Sequence, residues 1–206
     1  MTPASLEVLV ATAAGIAFVH TLVGVDHALP FVVLGRARRW SLRRVLGVTF
    51  LCGLAHVLSS VLLGLLGVAL GASLSSLLGI ESVRGEIAAW LLVGFGLAYA
   101  SWAWLHPRGH AHYGATTVGA LFVVFVLGPC EPLIPLLMGG AAVGPAAAVL
   151  VGLVFAAVTI GTMLAVVAAG YVGLSALRSE VVGRHAHTAA GLAVAGSGLA
   201  IHAFGI

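Results

Sequence analysis

The feature that most constrains this chain is a series of six long apolar runs separated by short polar stretches. Most of the runs reach the roughly 20 residues that an α-helix needs to cross a bilayer core, and the last run is shorter. Only 7% of the 206 residues are charged, whereas soluble domains have about 25%. A chain of this composition has to use lipid as part of its solvent, which excludes a soluble globular protein. The runs are residues 6–34, 45–70, 87–105, 118–138, 146–171 and 189–204.

We therefore predict an all-α integral membrane protein with six transmembrane helices in one domain, residues 1–206. All nine basic residues are arginines, and eight of them lie in the connections that follow helices 1, 3 and 5. Only Arg84 is expected in a connection on the other side. The positive-inside rule then predicts a multi-pass protein of the cell membrane with both termini outside. The net charge of +3 thus indicates topology, and we expect no nucleic-acid partner. No basic residue precedes Arg36, so we expect the first helix to be retained.

Two copies of one pattern, offset by 102 to 104 residues, predict an internal duplication. The matched positions are Gly24 with Gly128, His56 with Thr159, and residues 94–98 with 196–200. Because each copy has an odd number of helices, the copies, about 6–105 and 118–206, would insert in opposite orientations. This is the inverted-repeat plan of many secondary transporters, whose substrate site lies near the membrane midplane. Duplication kept for packing alone explains the glycines, but it does not explain polar residues at equivalent depths.

Helix 1 carries three metal-ligand side chains inside its apolar run. His20 and His27 are seven residues apart and share a face of an ideal helix, whereas Asp26 points about 100° away. Gly24 and Pro30 indicate that the helix is bent or opened here, which would turn Asp26 toward the same cavity. Imidazole and carboxylate together suit divalent Ni, Co, Zn, Cu or Fe.

The second copy has an acid at the equivalent depth, Glu131. Pro129 and Pro132 flank it and predict a broken or re-entrant turn that presents the carboxylate to a polar cavity. Glu131 and Asp26 are the acids inside the apolar runs, and the other acids, Glu81 among them, fall at helix ends or in loops. An ionisable residue at membrane depth is costly and marks a functional site by default.

His56 on helix 2 lies mid-membrane and completes the predicted ligand set. The predicted metal ligands are His20, Asp26, His27, His56 and Glu131. The predicted transport path and hinges are Gly24, Pro30, Gly128, Pro129, Cys130, Pro132 and Thr159. Explanations without a metal stay open: an ion pair of Asp26 with His27, interhelical hydrogen bonds of His20 or His56, a protonated Glu131, and a Thr159 hydroxyl bonded to its own helix. Two His-x-His pairs, His110/His112 and His185/His187, are expected in cytoplasmic loops.

The segment from His20 to Pro30, followed by an arginine-rich loop, resembles the nickel/cobalt transporters, especially the branch related to the urease accessory protein UreH. That family has a helix-borne His followed by Asp-His as its metal signature. Here five residues separate His20 from Asp26-His27, one more than in the best-known permeases. The resemblance implies a permease and not an enzyme, with Ni²⁺ or Co²⁺ as its substrate and no tightly bound cofactor. Expected partners are cytoplasmic metallochaperones or metalloenzyme maturation proteins.

The segment from Gly128 to Pro135 resembles the Pro-Cys segment of the CcdA/DsbD transmembrane electron carriers, which share a 3+3 architecture with sulfite-exporter-like proteins. Those carriers need one membrane cysteine in each repeat. Here the symmetric partner of Cys130 is Asp26, and Cys52 lies at a non-equivalent position, which disfavours electron transfer. A thiol-redox carrier or a sulfite-type anion exporter stays the alternative function, and an accessory subunit without transport is a third.

Overall fold

The computed structural model describes residues 3–106, 114–176 and 180–204, which form α-helices, one 3-10 turn and short connections. These described residues contain no strand, so the predicted all-α class is confirmed. The helices are α1 Pro3–Val23, α2 Leu29–Ala37, α3 Leu42–Ala69, α4 Leu74–Leu105, α5 Gly114–Leu127, α6 Leu133–Val143, α7 Pro145–Ala176 and α8 Glu180–Phe204.

Within the described residues, four helices are long and apolar enough to cross a membrane: α1, α3, α4 and α7. Helices α5 and α6 are apolar but shorter. Large apolar side chains such as Phe50, Leu66 and Leu153 are exposed on the outside of the bundle. An apolar exterior of this kind fits a multi-pass membrane protein, whose outer surface faces lipid and not water.

The first and fourth predicted spans are each divided into two helices. The 3-10 turn Val25–His27 separates α1 from α2, and residues 128–132 separate α5 from α6. Pro30 lies in the first turn of α2, and Pro132 is the N-cap of α6. Proline suits these positions because the first N–H groups of a helix have no intrahelical acceptor. The predicted opening of helix 1 and the predicted broken turn in the second copy are both present.

The third predicted span begins at Leu74, well before its predicted start, and Ser73 caps its N-terminus. Glu81 and Arg84 therefore lie inside α4, and the predictions of a helix-end Glu81 and a loop Arg84 are wrong. The two side chains form an ion pair, with 2.6 Å between Glu81 Oε1 and Arg84 Nη1. A hydropathy scale adds the penalty of each charge separately, whereas in the helix the two charges neutralise each other in an ion pair.

Helices α4 and α8 approach so closely that their backbones touch. A Cβ added to Gly96 would lie 2.6 Å from the Gly191 carbonyl, and one added to Gly198 would lie 2.6 Å from the Ala89 carbonyl. Small residues allow such contact between membrane helices. The predicted packing role is confirmed for Gly96 and Gly198, but not for Gly94 and Gly196, where an added Cβ would meet nothing within 4 Å.

Several of the remaining helix contacts come in matching sets. Helix α1 packs against α7, and α5 packs against α3. Helix α2 packs against α7 and α8, while α6 packs against α3 and α4. The candidate site lies where the α1–α2 break, α3, α4 and the α5–α6 break meet.

Candidate metal centre

Three histidines meet in the interior of the bundle. His20 lies in the last turn of α1, His27 lies in the 3-10 turn and His56 lies in the middle of α3. The ring centroids are 5.0 Å apart for His20 and His27, and 5.2 Å apart for His27 and His56. One nitrogen of each ring lies within 4.8 Å of one nitrogen of the other two. Because nitrogens bound to one metal are at most about 4.2 Å apart, small ring rotations would allow all three to bind one ion.

Asp26 adds a carboxylate to this cluster. Its Oδ1 lies 3.0 Å from His27 Nδ1, and its side chain is 21% exposed, compared with 3% for His27. Asp26 therefore reaches the edge of the cluster from the same 3-10 turn. In a regular helix the Asp26 side chain would point about 100° away from His20 and His27. The break in helix 1 therefore brings the Asp26 carboxylate to the histidines.

Gly24 provides the space for the His27 ring. A Cβ at this position would lie 2.1 Å from His27 Nδ1 and 2.7 Å from Cε1. The backbone angles of Gly24, φ −65° and ψ 103°, are accessible to any residue. Glycine is required here because of the imidazole and not because of the backbone.

A backbone contact orients His56. Its Nδ1 lies 3.3 Å from the Phe125 carbonyl oxygen. Since a carbonyl can only accept, this contact favours the tautomer with the proton on Nδ1, which leaves the Nε2 lone pair free for a metal. Carbonyl contacts of this type commonly orient metal-binding histidines.

The Nε2 atoms of His20, His27 and His56 are buried, and no described residue offers any of them a hydrogen-bond partner. A buried polar atom without a partner costs about 1–3 kcal/mol, so such atoms are rare in folded proteins. Three of them in one cluster call for a partner that the described residues do not provide. A cation or ordered water fits this position.

The histidines and Asp26 line a cavity of about 40 Å³. At roughly 10–15 Å³ per water molecule, this volume holds an ion with a small part of its hydration shell. The other walls are formed by Gly85, Ala88, Ala89 and Leu92 of α4, by Val124, Phe125, Gly128 and Pro129 at the end of α5, and by Ile201 of α8. Both halves of the chain thus form the cavity, but the ligand side chains all come from the first half.

Glu131 does not join the cluster, against the prediction that it provides the opposing carboxylate. Its side chain is exposed and does not line the cavity, whereas the neighbouring Cys130 is fully buried. The turn after α5 presents the backbone of Gly128 and Pro129 to the histidines instead. The turn holds Cys130, and not Glu131, in the interior of the bundle, because the Cys130 N–H donates to Glu81 Oε2 at 2.9 Å.

The other predicted residues lie around the cavity or away from it. Thr159 is fully buried in α7 but does not line the cavity. A hydrogen bond of its hydroxyl to its own helix was expected, and none is present among the described residues. Cys52 and Cys130 are free, buried thiols in separate apolar clusters. This separation offers no support for a dithiol that carries electrons.

The two His-x-His pairs have different outcomes. His110 and His112 lie outside the described residues. His185 and His187 are part of α8 and not of a loop; the helix kinks at His185, and His187 Nδ1 lies 2.6 Å from the Tyr99 hydroxyl.

Sequence reasoning missed the buried pair of Glu81 and Arg84 next to this cavity. Glu81 is completely buried, and Arg84 is 17% exposed. The signal that could have found it is the spacing of opposite charges by three residues, which places both on one face of a helix.

Three imidazoles and a carboxylate on one small cavity are a ligand set that suits divalent first-row transition metals. No model of a protein family matches this sequence, and neither a curated protein nor a solved structure matches it. The functional conclusion therefore depends on the chemistry of the site.

Proposed function

We propose that this protein is a membrane permease for divalent transition-metal ions, of the nickel/cobalt transporter type, with Ni²⁺ or Co²⁺ as substrate. The observation that carries the proposal is the convergence of three buried imidazoles with free Nε2 atoms on one cavity. Asp26 adds a negative charge that attracts the cation. Ionisable residues at membrane depth mark ion pathways in many transporters.

We further propose six spans arranged as two inverted repeats. The element order supports this: a broken helix followed by two long helices occurs twice, as α1–α2, α3, α4 and as α5–α6, α7, α8. The matching helix contacts support it too, because exchanging the halves turns the α1–α7 contact into the α5–α3 contact.

The seam between α4 and α8 gives residue-level support for the same symmetry. At the offset of 102 residues, Gly96 corresponds to Gly198, and Ala89 corresponds to Gly191. A Cβ added to Gly96 would lie 2.6 Å from the Gly191 carbonyl oxygen, and one added to Gly198 would lie the same 2.6 Å from the Ala89 carbonyl oxygen. A two-fold axis between the two helices produces this kind of reciprocal pair.

In this proposal one repeat rocks against the other and exposes the cavity to each side in turn. The hinges are the two breaks, at Gly24 and Pro30 and at Gly128 and Pro132. The arginine-rich connections face the cytoplasm and both termini lie outside. Arg84, which is paired inside α4, no longer counts against this orientation. Cytoplasmic metallochaperones or metalloenzyme maturation proteins are the proposed partners.

The test is flux of radiolabelled Ni²⁺ into proteoliposomes that contain the parent protein, His27→Ala or His202→Ala. His202 is the matched control because it is exposed near the end of α8 and packs on Trp90, with ring centroids 5.1 Å apart. We expect flux in the parent and in His202→Ala, and background flux in His27→Ala. Equal flux in all three proteins would refute the proposal.

A further inference from the structure

The buried ion pair of Glu81 and Arg84 lies one helical turn from the metal cavity. On α4, Glu81 comes four residues before the cavity-lining Gly85. On α3, Ser60, which is 3.5 Å from Arg84 Nη1, comes four residues after His56. Four residues are about one turn of a helix, so both helices place the ion pair on the side of the α3–α4 connection.

This ion pair binds the backbone of the α5–α6 break. Glu81 Oε2 accepts from the Cys130 N–H at 2.9 Å. Arg84 Nη2 donates to the Val126 carbonyl at 2.7 Å and to the Gly128 carbonyl at 3.4 Å. Backbone groups at helix ends have no intrahelical partner and need another one. Here two charged side chains of α4 provide the hydrogen bonds that the break removes.

The same backbone segment sets the position of His56. The Phe125 carbonyl contacts His56 Nδ1, and a Cβ on Gly128 would lie 3.2 Å from that nitrogen. On its other side the segment packs against α4, where a Cβ on Gly85 would lie 2.7 Å from Pro129 Cγ. The segment has little free space, so a shift of a few tenths of an ångström changes the His56 contact.

We propose that Glu81 and Arg84 are positioning residues of the metal site. They hold residues 126–130 in place, and the Phe125 carbonyl then keeps His56 turned with Nε2 toward the ion. This inference rests on the proposed function, because it assigns the pair a role in metal binding. Neither side chain lines the cavity, so neither is itself a ligand.

The first test compares Glu81→Gln with Glu86→Gln, since Glu86 is an exposed acid on the same helix. Each purified protein is titrated with Co²⁺, whose visible absorption reports the number and geometry of its ligands. We expect Glu81→Gln to bind Co²⁺ about 10- to 100-fold more weakly and with an altered spectrum, as for other residues that orient metal ligands. Glu86→Gln is expected to match the parent.

If the pair serves folding alone, Glu81→Gln lowers the yield of folded protein, but the folded fraction keeps the parent affinity and spectrum. That result would overturn the inference. A parent protein that binds no Co²⁺ would overturn the proposed function as well, so the two failures are distinguishable.

Where Glu81→Gln does not fold, a second pair of variants tests whether moving residues 126–130 alters the metal site. Gly85→Ala pushes on Pro129 and moves the same segment without touching the ion pair. Gly79→Ala is its control on α4, because no atom lies within 4 Å of the added Cβ. We expect a changed Co²⁺ spectrum in Gly85→Ala and the parent spectrum in Gly79→Ala. Identical spectra in the two variants would contradict the inference.

Discussion

Replacing Gly24 by alanine introduces one methyl group beside the cluster of His20, His27 and Asp26. The new Cβ would lie 2.1 Å from His27 Nδ1 and 3.0 Å from Asp26 Oδ1. Gly24 has an ordinary negative φ of −65°, so alanine causes no backbone strain there. The effect of the substitution is therefore a collision with the His27 ring, together with a tight contact with Asp26 Oδ1.

The size of the effect follows from this collision. A Cβ closer than 3.0 Å to another heavy atom is essentially never observed, so the ring has to move or turn away. Overpacking of a well-packed site costs about 1–3 kcal/mol. In the metal-free protein the His27 ring can move away from the new Cβ. Metal binding requires the ring to return to its original position, so the overpacking energy lowers the binding affinity. At 1.4 kcal/mol per factor of ten, the affinity for Ni²⁺ should fall about 5- to 150-fold.

Isothermal titration of the purified protein with Ni²⁺ measures this affinity. Gly15→Ala is the matched control, because it adds a Cβ to α1 with no atom within 4 Å. We expect the control to bind like the parent. The reasoning is refuted if Gly24→Ala and Gly15→Ala bind Ni²⁺ equally well.

Three further predictions follow. Glu131→Gln should leave the Ni²⁺ affinity unchanged in the same titration, because Glu131 is exposed outside the cavity; a large loss would restore it as a ligand. Cys130→Ala should keep both binding and flux, because Glu81 uses the backbone N–H of this residue and not its thiol; loss of flux with binding intact would favour a thiol-based function. Gly96→Ala should lower the free energy of unfolding by about 1–3 kcal/mol in detergent, because its Cβ would meet the α8 backbone, whereas Gly94→Ala should not; equal stability of the two would contradict the described α4–α8 contact.

The breaks in the first and fourth spans could be predicted because their causes are local. Gly24 and Pro30 are close in sequence, as are Gly128 and Pro132, and proline limits a helix whatever surrounds it. The proximity of Asp26 to the two histidines of helix 1 could be predicted for the same reason. All three residues lie within one short segment, and opening that segment brings them together.

The start of α4 and the location of Glu81 could not be predicted in this way. Charge counting treats Glu81 and Arg84 as loop residues, because hydropathy does not record that one side chain neutralises the other. Their further partners, Val126 and Cys130, are more than 40 residues away along the chain. Contacts at such separations depend on how the helices pack.

The sequence by itself determined that this protein is helical and fits a membrane, because a chain in lipid has to satisfy its backbone hydrogen bonds internally. It also determined the candidate ligands of helix 1, which lie near one another along the chain. Only the tertiary structure decided what faces them. The approach of α5 to α3 places the Phe125 carbonyl, Gly128 and Pro129 at the histidines and leaves Glu131 outside, since which side of a turn faces inward depends on contacts between distant helices.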